Sequence, residues 1–482
     1  MYTVITTAIL VLDLSCALVI LFLERKNPTS TLAWLLVLIF LPFIGVIAYL
    51  MFGSGLHINK NRRYALKKVS DSLYKALIGS YINIHGGERR YAASNCTDSI
   101  IQYLENDGMC LNTEDNSVEM FTEGNSMFQR MLVDMEKAEK HIHLLYYIIR
   151  NDVLGKRIAA LLTRKARQGV QVRVIYDSMG SMIAMDRMFK ELRAAGGEVA
   201  AFSPFLFTLN FSSHLRLNYR NHRKITVVDG KIGYTGGMNI GDEYLGKHRR
   251  LTPWRDTQIR LLGSSVGFLQ ERFLMDWCFT VDKDFTAEEM SAFFPTAEKA
   301  GETAVQIASS GPDTPKLLIK SGMLKMIYSA SKYIFIQTPY FTPDDSVLDG
   351  LRIAARAGVD VRLMLPAKPD HLWVQMATLS YARMAENAGV KVYLYNGFLH
   401  AKSIIIDGEA VTIGSSNMGE RSFAMNFEIN AFIYNQEFAR KNGEIFLKDQ
   451  KNCLQVTEDW FASRPALVRG AFGVSRLFAP LM

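Results

Sequence analysis

The sequence predicts a duplicated α/β protein: two similar domains, each a mixed sheet flanked by helices, behind a two-helix transmembrane hairpin. Three observations carry that prediction. First, one spacing occurs twice. "NHRKITVVDGKIGYTGGMN" (Asn221 to Asn239) and "LHAKSIIIDGEAVTIGSSN" (Leu399 to Asn417) each place His, any residue, Lys, four residues, Asp, six residues, Gly, a small residue, any residue and Asn. The offset is 178 at the histidines (400 − 222) and 178 at the asparagines (417 − 239), so the register holds across the motif. Second, the surroundings repeat. "ARQGVQVRVIYD" (Ala166 to Asp177) answers "ARAGVDVRLMLP" (Ala355 to Pro366), each a helix end, a glycine turn and a buried strand, and "HIHLLYYIIRND" answers "YIFIQTPYFTPDD" ahead of it. Each half therefore reads strand, helix, strand, helix, strand, then motif strand, the order of a sheet covered by helices. Third, two apolar runs precede everything else.

Met1 to Leu23 is apolar apart from Asp13 and a few hydroxyls, and Thr31 to Phe52 carries no charge. Each approaches the ~20 residues of a membrane span, which places spans at about 2–23 and 31–52 within a hairpin unit, 1–53. A cleaved signal peptide fits less well, because there is no basic start and a second apolar run follows. "ERKNPTS" (Glu24 to Ser30) is long enough only to reverse the chain. Arg25 and Lys26 lie in that turn, against Lys60, Arg62, Arg63, Lys67 and Lys68 beyond the second run, so the positive-inside rule places the remainder in the cytoplasm. The cluster would also attract anionic headgroups. Asp13 is expected close enough to an interface to stay hydrated.

Residues 54–110 read as a basic linker, 111–290 as the first domain and 304–482 as the second, with Val281 to Thr303 connecting the halves. The offset is 189 at the glycine turn (358 − 169) but 178 at the motif, so the first half has gained residues between them. The gain is placed in Phe202 to Asn221, where Phe202, Phe205, Leu206, Phe207 and Phe211 are expected to pack into the core sooner than face a bilayer. The last segment carries Arg464, Arg469 and Arg476 without acids; docking on its own domain is expected, a membrane surface being the alternative.

A formal charge of +8 and a pI near 9 suggest an acidic partner, nucleic acid or anionic membrane, without choosing between them. Five scattered cysteines form no Cys-x-x-Cys pair that would suggest zinc or redox chemistry. His141 and His143 are spaced like a metal pair but have no third ligand, and read as strand residues.

The motif residues fit phosphoryl chemistry. On a strand, side chains two apart share a face, so His222 with Lys224 and His400 with Lys402 can face one ligand. Lysine is a compact charge for a phosphate oxygen, and the Asn239 and Asn417 amides can donate to the same oxygens. Histidine supplies a nucleophile or a proton donor near neutral pH, provided its second ring nitrogen is held. Asp256 in "WRDTQIRL" and Glu428 in "MNFEINAF" are candidates to hold it. Asp229 and Asp407, each seven residues after its histidine and ahead of a glycine, are expected to stabilise turns. One His-x-Lys means little; the full spacing met twice in matching contexts argues for a site.

The two motifs resemble the paired signature of the phospholipase D superfamily. With the hairpin, "GGMNIGDEYLG", "PWRDTQIRLLG", "QTPYFTPDD" and "LFAPLM", the whole chain resembles the bacterial cardiolipin synthases of that superfamily. The resemblance implies two phospholipase D-like domains with one active site between them and no metal ion or cofactor. It places His222, Lys224, Asp229, His400, Lys402 and Asp407 in the catalytic signature, Asn239 and Asn417 on the phosphate, and Asp256 and Glu428 behind the histidines. It implies transfer of a phosphatidyl group from one phosphatidylglycerol to another, giving cardiolipin and glycerol through a phosphohistidine. His222 would be the nucleophile and His400 the acid and base, with the reverse assignment open. The implied partners are phosphatidylglycerol and other anionic membrane phospholipids, and no nucleic acid; the implied place is the cell membrane, with the catalytic domains cytoplasmic. Gly237 departs from the pattern, since many members carry serine there as at Ser415, and a tuning effect is expected. A phospholipase D-type hydrolase would use the same residues with water as acceptor. A nuclease is disfavoured by the hairpin, and a non-catalytic scaffold by two intact motifs.

Overall fold

The structure, a computed structural model, describes residues 11–23, 28–49, 70–75, 77–79, 81, 94–108, 110–181, 185–202, 219–281, 285, 287–314, 316–477 and 479. The first half contributes strands β1 (Thr113–Phe121), β2 (His141–Tyr146), β3 (Gln171–Asp177), β4 (Glu198–Phe202), β5 (Ile225–Val228), β6 (Ile232–Gly236) and β7 (Gln258–Leu262). The second contributes β8 (Thr303–Ser310), β9 (Tyr333–Gln337), β10 (Asp360–Pro366), β11 (Lys391–Tyr395), β12 (Ser403–Ile406), β13 (Ala410–Gly414) and β14 (Asn426–Tyr434). Across the sheet they run β1-β7-β6-β5-β2-β3-β4 and β8-β14-β13-β12-β9-β10-β11, the same permutation twice. β1 pairs antiparallel with β8, which makes one mixed sixteen-stranded sheet of the two halves among the described residues. The duplication is therefore real, but the halves share a sheet and do not stand apart as beads.

Alternation along the strands divides the core. Ile142 and Leu144 point to one face, under helices Gly124–Glu136 and Val153–Arg167; Leu145 points to the other. The helix at the equivalent place in the second half, Asp345–Arg356, begins as Val153–Arg167 does, with an aspartate cap: Asp152 accepts from the Gly155 amide and Asp344 from the Val347 amide. On the opposite face lie Ser265–Val281 and Gln436–Gln450, and Phe273, Leu274, Trp277 and Phe446 join Ile225, Val227, Ile405 and Val411 in a core common to both halves. Each such side chain contributes roughly 1.5–3 kcal/mol. Burying residues of both halves in one core makes their docking part of folding.

The extra residues of the first half fall where expected: 23 positions separate Phe202 from Ile225, against 8 from Tyr395 to Ser403. Phe202 is buried against Phe279 and Phe427 at ring distances of 5.6 and 5.2 Å. Phe205, Leu206, Phe207 and Phe211 lie outside the described residues, as do Lys60, Arg62, Arg63, Lys67 and Lys68. Helix Ala466–Leu477 docks on helix Leu372–Asn387 through Phe472, leaving Leu467 and Leu477 exposed. His143 meets Gln270 and stacks on Phe273 at 4.5 Å, so β2's histidines are strand residues.

The second predicted span is not one helix. Pro28–Phe40 and Ile44–Ala48 are separated at Pro42, which lacks an N–H and whose ring obstructs a continuous helix. Phe43 turns to a φ of 66°, and Asp13 accepts its amide at 3.3 Å, closing the break. Ile20, Leu38, Val46 and Tyr49 pack together. Among the described residues no helix is long and apolar enough to cross a membrane. Residues 1–10, 24–27 and 50–53 of the predicted hairpin lie outside them.

Candidate active site

Each motif arrives through pairing with the other half. Arg220–Asn221 runs parallel to Asn426–Phe427, and Phe398–Leu399 runs parallel to Trp254–Arg255. The His222 amide donates to Phe427 O at 2.9 Å and the His400 amide to Arg255 O at 2.7 Å. Only at Ile225 and Ser403 do the chains enter their own strands, β5 and β12. The His-x-Lys tripeptides thus lie just ahead of the motif strands, not within them as the alternation suggested, because they bridge two different pairings.

The crossing extends to the side chains. His222 Nδ1 lies 3.1 Å from both carboxylate oxygens of Glu428 and 3.1 Å from Ser415 O. His400 Nδ1 lies 2.6 Å from Asp256 Oδ2. Asp256 and Glu428 are equivalent by register, each two residues before the partner of the motif glycine in Gly236↔Gln258 and Gly414↔Asn430. Each acid therefore faces the histidine of the opposite half. A carboxylate at Nδ1 fixes the tautomer with Nε2 free.

Burial sets the charge state. Desolvation brings His222 down to about 4; Glu428 opposes this, while Lys224 and Lys402 add to it. His400 is lowered too, by burial and Lys402 against the pull of Asp256. Both imidazoles are thus neutral at pH 7 in the free protein. Burial works against the Glu428 charge, yet His222, Lys224 and Ser415 hold the carboxyl below its usual range.

Lys224 Nζ donates to His222 O and Lys402 Nζ to His400 O, both at 2.6 Å. Both lysines are buried behind the histidines; desolvation pushes Lys224 far down and Lys402 to about 8. His222, His400, Asn239 and Asn417 line one cleft of about 540 Å³, with Arg150, Arg220, Arg250 and Arg421 around them. Asn417 Oδ1 has no hydrogen-bond partner among the described residues. Asn239 is engaged, accepting from the Ile148 amide at 3.2 Å and donating to Tyr244 Oη at 2.6 Å. The arrangement offers two imidazole nitrogens and a cationic surround to one phosphodiester.

Asp229 and Asp407 do not line this cleft. Both have left-handed backbone, φ 53° and 52°, which aspartate tolerates better than most residues. Asp229 accepts from the amides of Glu139, Lys140 and His141, and Asp407 from those of Ser331, Lys332 and Tyr333, all at 2.7–2.8 Å. They pin the start of β2 and β9 to the motif hairpins, the turn role expected from spacing. Gly237 also has a packing reason: a Cβ there would overlap the Asp256 carboxylate. At the other site Ser415 donates to Glu428 instead.

Two ion pairs behind the histidines escaped the sequence reading. Arg223 holds Asp276 with Nη1 contacts of 2.6 and 2.7 Å, and its Nε donates to Glu428 O at 3.1 Å. Arg255 holds Asp449 at 2.8 Å and donates to Asp256 O. The available signal was a charge at an inward position: Arg223 beside a β-branched run, and Asp276 within the apolar stretch Phe273 to Phe279. Among the described residues, no cluster of His, Cys, Asp or Glu has the makings of a metal site.

The comparisons with known proteins agree with this geometry. The family described as "Cardiolipin synthase, PLD-like domain" matches residues 131–250 and 323–450, and "Phospholipase_D-nuclease N-terminal" matches 11–54. The chain is 43% identical to the cardiolipin synthase of Listeria monocytogenes (strain EGD-e) over 486 residues, covering 98% of each. It is likewise 43% identical to the major cardiolipin synthase of Bacillus subtilis (strain 168) over 480 residues, again 98% of each. The solved phosphatidylserine synthase of Haemophilus influenzae Rd KW20 shares the fold, with a TM-score of 0.63 at 13% identity over 80% of this chain and 100% of that one. Two matched domains, a shared sheet with one cleft, and full-length identity of this degree lead to one conclusion: the chain belongs to the cardiolipin synthase family of phospholipase D-like proteins.

Proposed function

We propose that the protein is a phosphatidyltransferase that moves a phosphatidyl group from one phosphatidylglycerol to the hydroxyl of another, producing cardiolipin and glycerol. The observation that carries the reading is the crossed support of two histidines on one cleft, in a chain 43% identical to cardiolipin synthases. His222 Nε2 attacks phosphorus, a P–N bond forms, and the P–O bond to glycerol breaks. His400 gives its Nε2 proton to the departing oxygen, a contribution of roughly 10²–10⁴-fold. The second phosphatidylglycerol then returns a proton to His400 as its oxygen displaces His222. Both histidines are neutral in the free protein, so His400 takes up its proton when the phosphodiester anion offsets the lysine charges. Lys224 and Lys402 act from behind the histidines, and Asn239 and Asn417 from the cleft wall, on the charge that builds on the phosphoryl oxygens. The catalytic units are 111–290 and 304–482.

The N-terminal hairpin anchors the chain in the cell membrane with the catalytic halves on the cytoplasmic side. The uncharged run from Thr31 to Phe52 and the exposed Leu36, Ile39 and Phe40 support this placement. The test uses purified protein in mixed micelles with radiolabelled phosphatidylglycerol. Cardiolipin and glycerol in equal amounts are expected; phosphatidic acid alone would replace the reading with a hydrolase, and no turnover would sink it.

A further inference from the structure

The cleft presents cations to a phosphodiester, except at two carboxylates. Glu243 is paired with Arg150 at 3.4 Å. Asp370 has no Lys or Arg partner among the described residues, although its field reaches Lys402 behind the histidines. Tyr340 Oη donates to Oδ2 and the His371 amide to Oδ1 at 2.7 Å, and the mostly exposed His371 imidazole comes within 3.9 Å of Oδ2. The side chain keeps 25% exposure, and Asp370, Tyr340 and His371 all line the cleft with His400. A carboxylate repels phosphate and has only acceptors to offer, so it suits a donor, and the donors of a glycerol headgroup are hydroxyls.

We propose that Asp370, aimed by Tyr340, is the subsite for the glycerol headgroup, binding the hydroxyls of glycerol that do not react. This rests on the transferase reading above. In the departing glycerol those are the vicinal pair left free; in an incoming phosphatidylglycerol it is the middle hydroxyl, with the acceptor's own phosphate toward the cleft arginines. The step itself forms a bond from glycerol oxygen to phosphorus and breaks phosphorus–Nε2 of His222. The hydroxyl proton passes to His400, and Asp370 takes none. The subsite makes a polyol a better acceptor than water or a simple alcohol by holding it where one oxygen faces the phosphohistidine.

The test runs the reaction backward with the full-length protein: cardiolipin in mixed micelles, glycerol varied, phosphatidylglycerol and phosphatidic acid quantified. Asp370→Ala is expected to raise the KM for glycerol about ten- to a hundredfold, the worth of hydrogen bonds to a charged acceptor. The ratio of phosphatidylglycerol to phosphatidic acid should fall by a similar factor. The isosteric Asp370→Asn should fall between, and Tyr340→Phe should show a smaller rise. Methanol, with no second hydroxyl, is the control, and its transfer relative to hydrolysis should match wild type in all three variants. A glycerol KM unchanged in Asp370→Asn and Asp370→Ala, or equal losses with glycerol and methanol, would overturn the subsite. Wild-type protein without glycerol-dependent turnover would instead overturn the transferase reading on which it rests.

Discussion

The supports behind the two histidines use the same parts drawn from different places. Behind His222, the buried arginine is Arg223 of the same motif, reaching Asp276, and an aromatic ring, Phe427, comes from the other half 5.2 Å from the guanidinium. Behind His400, the motif offers only Ala401, and the arginine, Arg255, comes across from the first half to reach Asp449. In both places the arginine also grips the main-chain carbonyl of the acid that faces the histidine, Glu428 O or Asp256 O. The acids differ as well: a longer glutamate with a serine donor on one side, a shorter aspartate against a glycine on the other. The duplication thus conserves an electrostatic arrangement more closely than it conserves residues, and each histidine depends on its neighbour half.

Removing the histidines tests whether the comparison matters to chemistry. His222→Ala and His400→Ala are each expected to lower kcat a thousandfold or more. Given a phosphatidyl ester with a good leaving group, His400→Ala should accumulate a phosphatidyl adduct on His222, visible by mass spectrometry. An adduct on His400 in the His222→Ala protein would reverse the roles. Next come the crossed acids. Glu428→Gln and Asp256→Asn should each cost roughly 10²–10⁴ in kcat, as loss of a histidine-orienting carboxylate does elsewhere. They should fail at different steps: Glu428→Gln in forming the adduct, Asp256→Asn in forming and releasing it through a poorer proton carrier. Identical rapid-quench profiles would erase the distinction between the two supports.

A smaller effect separates the glycine from the serine. Gly237→Ser should lower kcat about a hundredfold, because a Cβ displaces Asp256, whereas Ser415→Gly should cost about tenfold for one hydrogen bond to Glu428. A Gly237→Ser protein as active as wild type would mean that Asp256 has room to move. The smallest change in rate is expected at the turn aspartates. Asp229→Ala and Asp407→Ala should each lose about 1–3 kcal/mol of stability in urea melts, with kcat within threefold of wild type below the transition.

Much of this architecture can be read in the chain because duplication gives every landmark a second instance. The constant offset of 178 across the motif locates β5, β6, β12 and β13, and the Gly169 and Gly358 turns locate β3 and β10. The pair of histidine-facing acids is legible by the same logic, since Asp256 lies two residues ahead of β7 and Glu428 early in β14, at equivalent register. Which acid meets which histidine is not, because that depends on strands Arg220–Asn221 and Phe398–Leu399 pairing outside their own half, and no local periodicity encodes a partner 206 residues away. The alternating pattern also overstates the motif strands, since His222 and Lys224 look inward-facing for a reason other than strand geometry. Pro42 was visible within the second apolar run, and its consequence for a continuous helix was the physical term that hydropathy alone does not weigh.

The strand that carries Glu428 has a consequence for when activity begins. β14 inserts between β8 and β13 and is among the last parts of the sheet to leave the ribosome, whereas His222 has been synthesised 206 residues earlier. At 5–20 residues per second, about ten to forty seconds pass in which the nascent chain holds His222 without the carboxylate that orients it. A truncated product ending ahead of Asn426 would never acquire it. The enzyme therefore becomes competent to rearrange phospholipids only once nearly its whole length has been made, and the membrane is spared from half-finished copies.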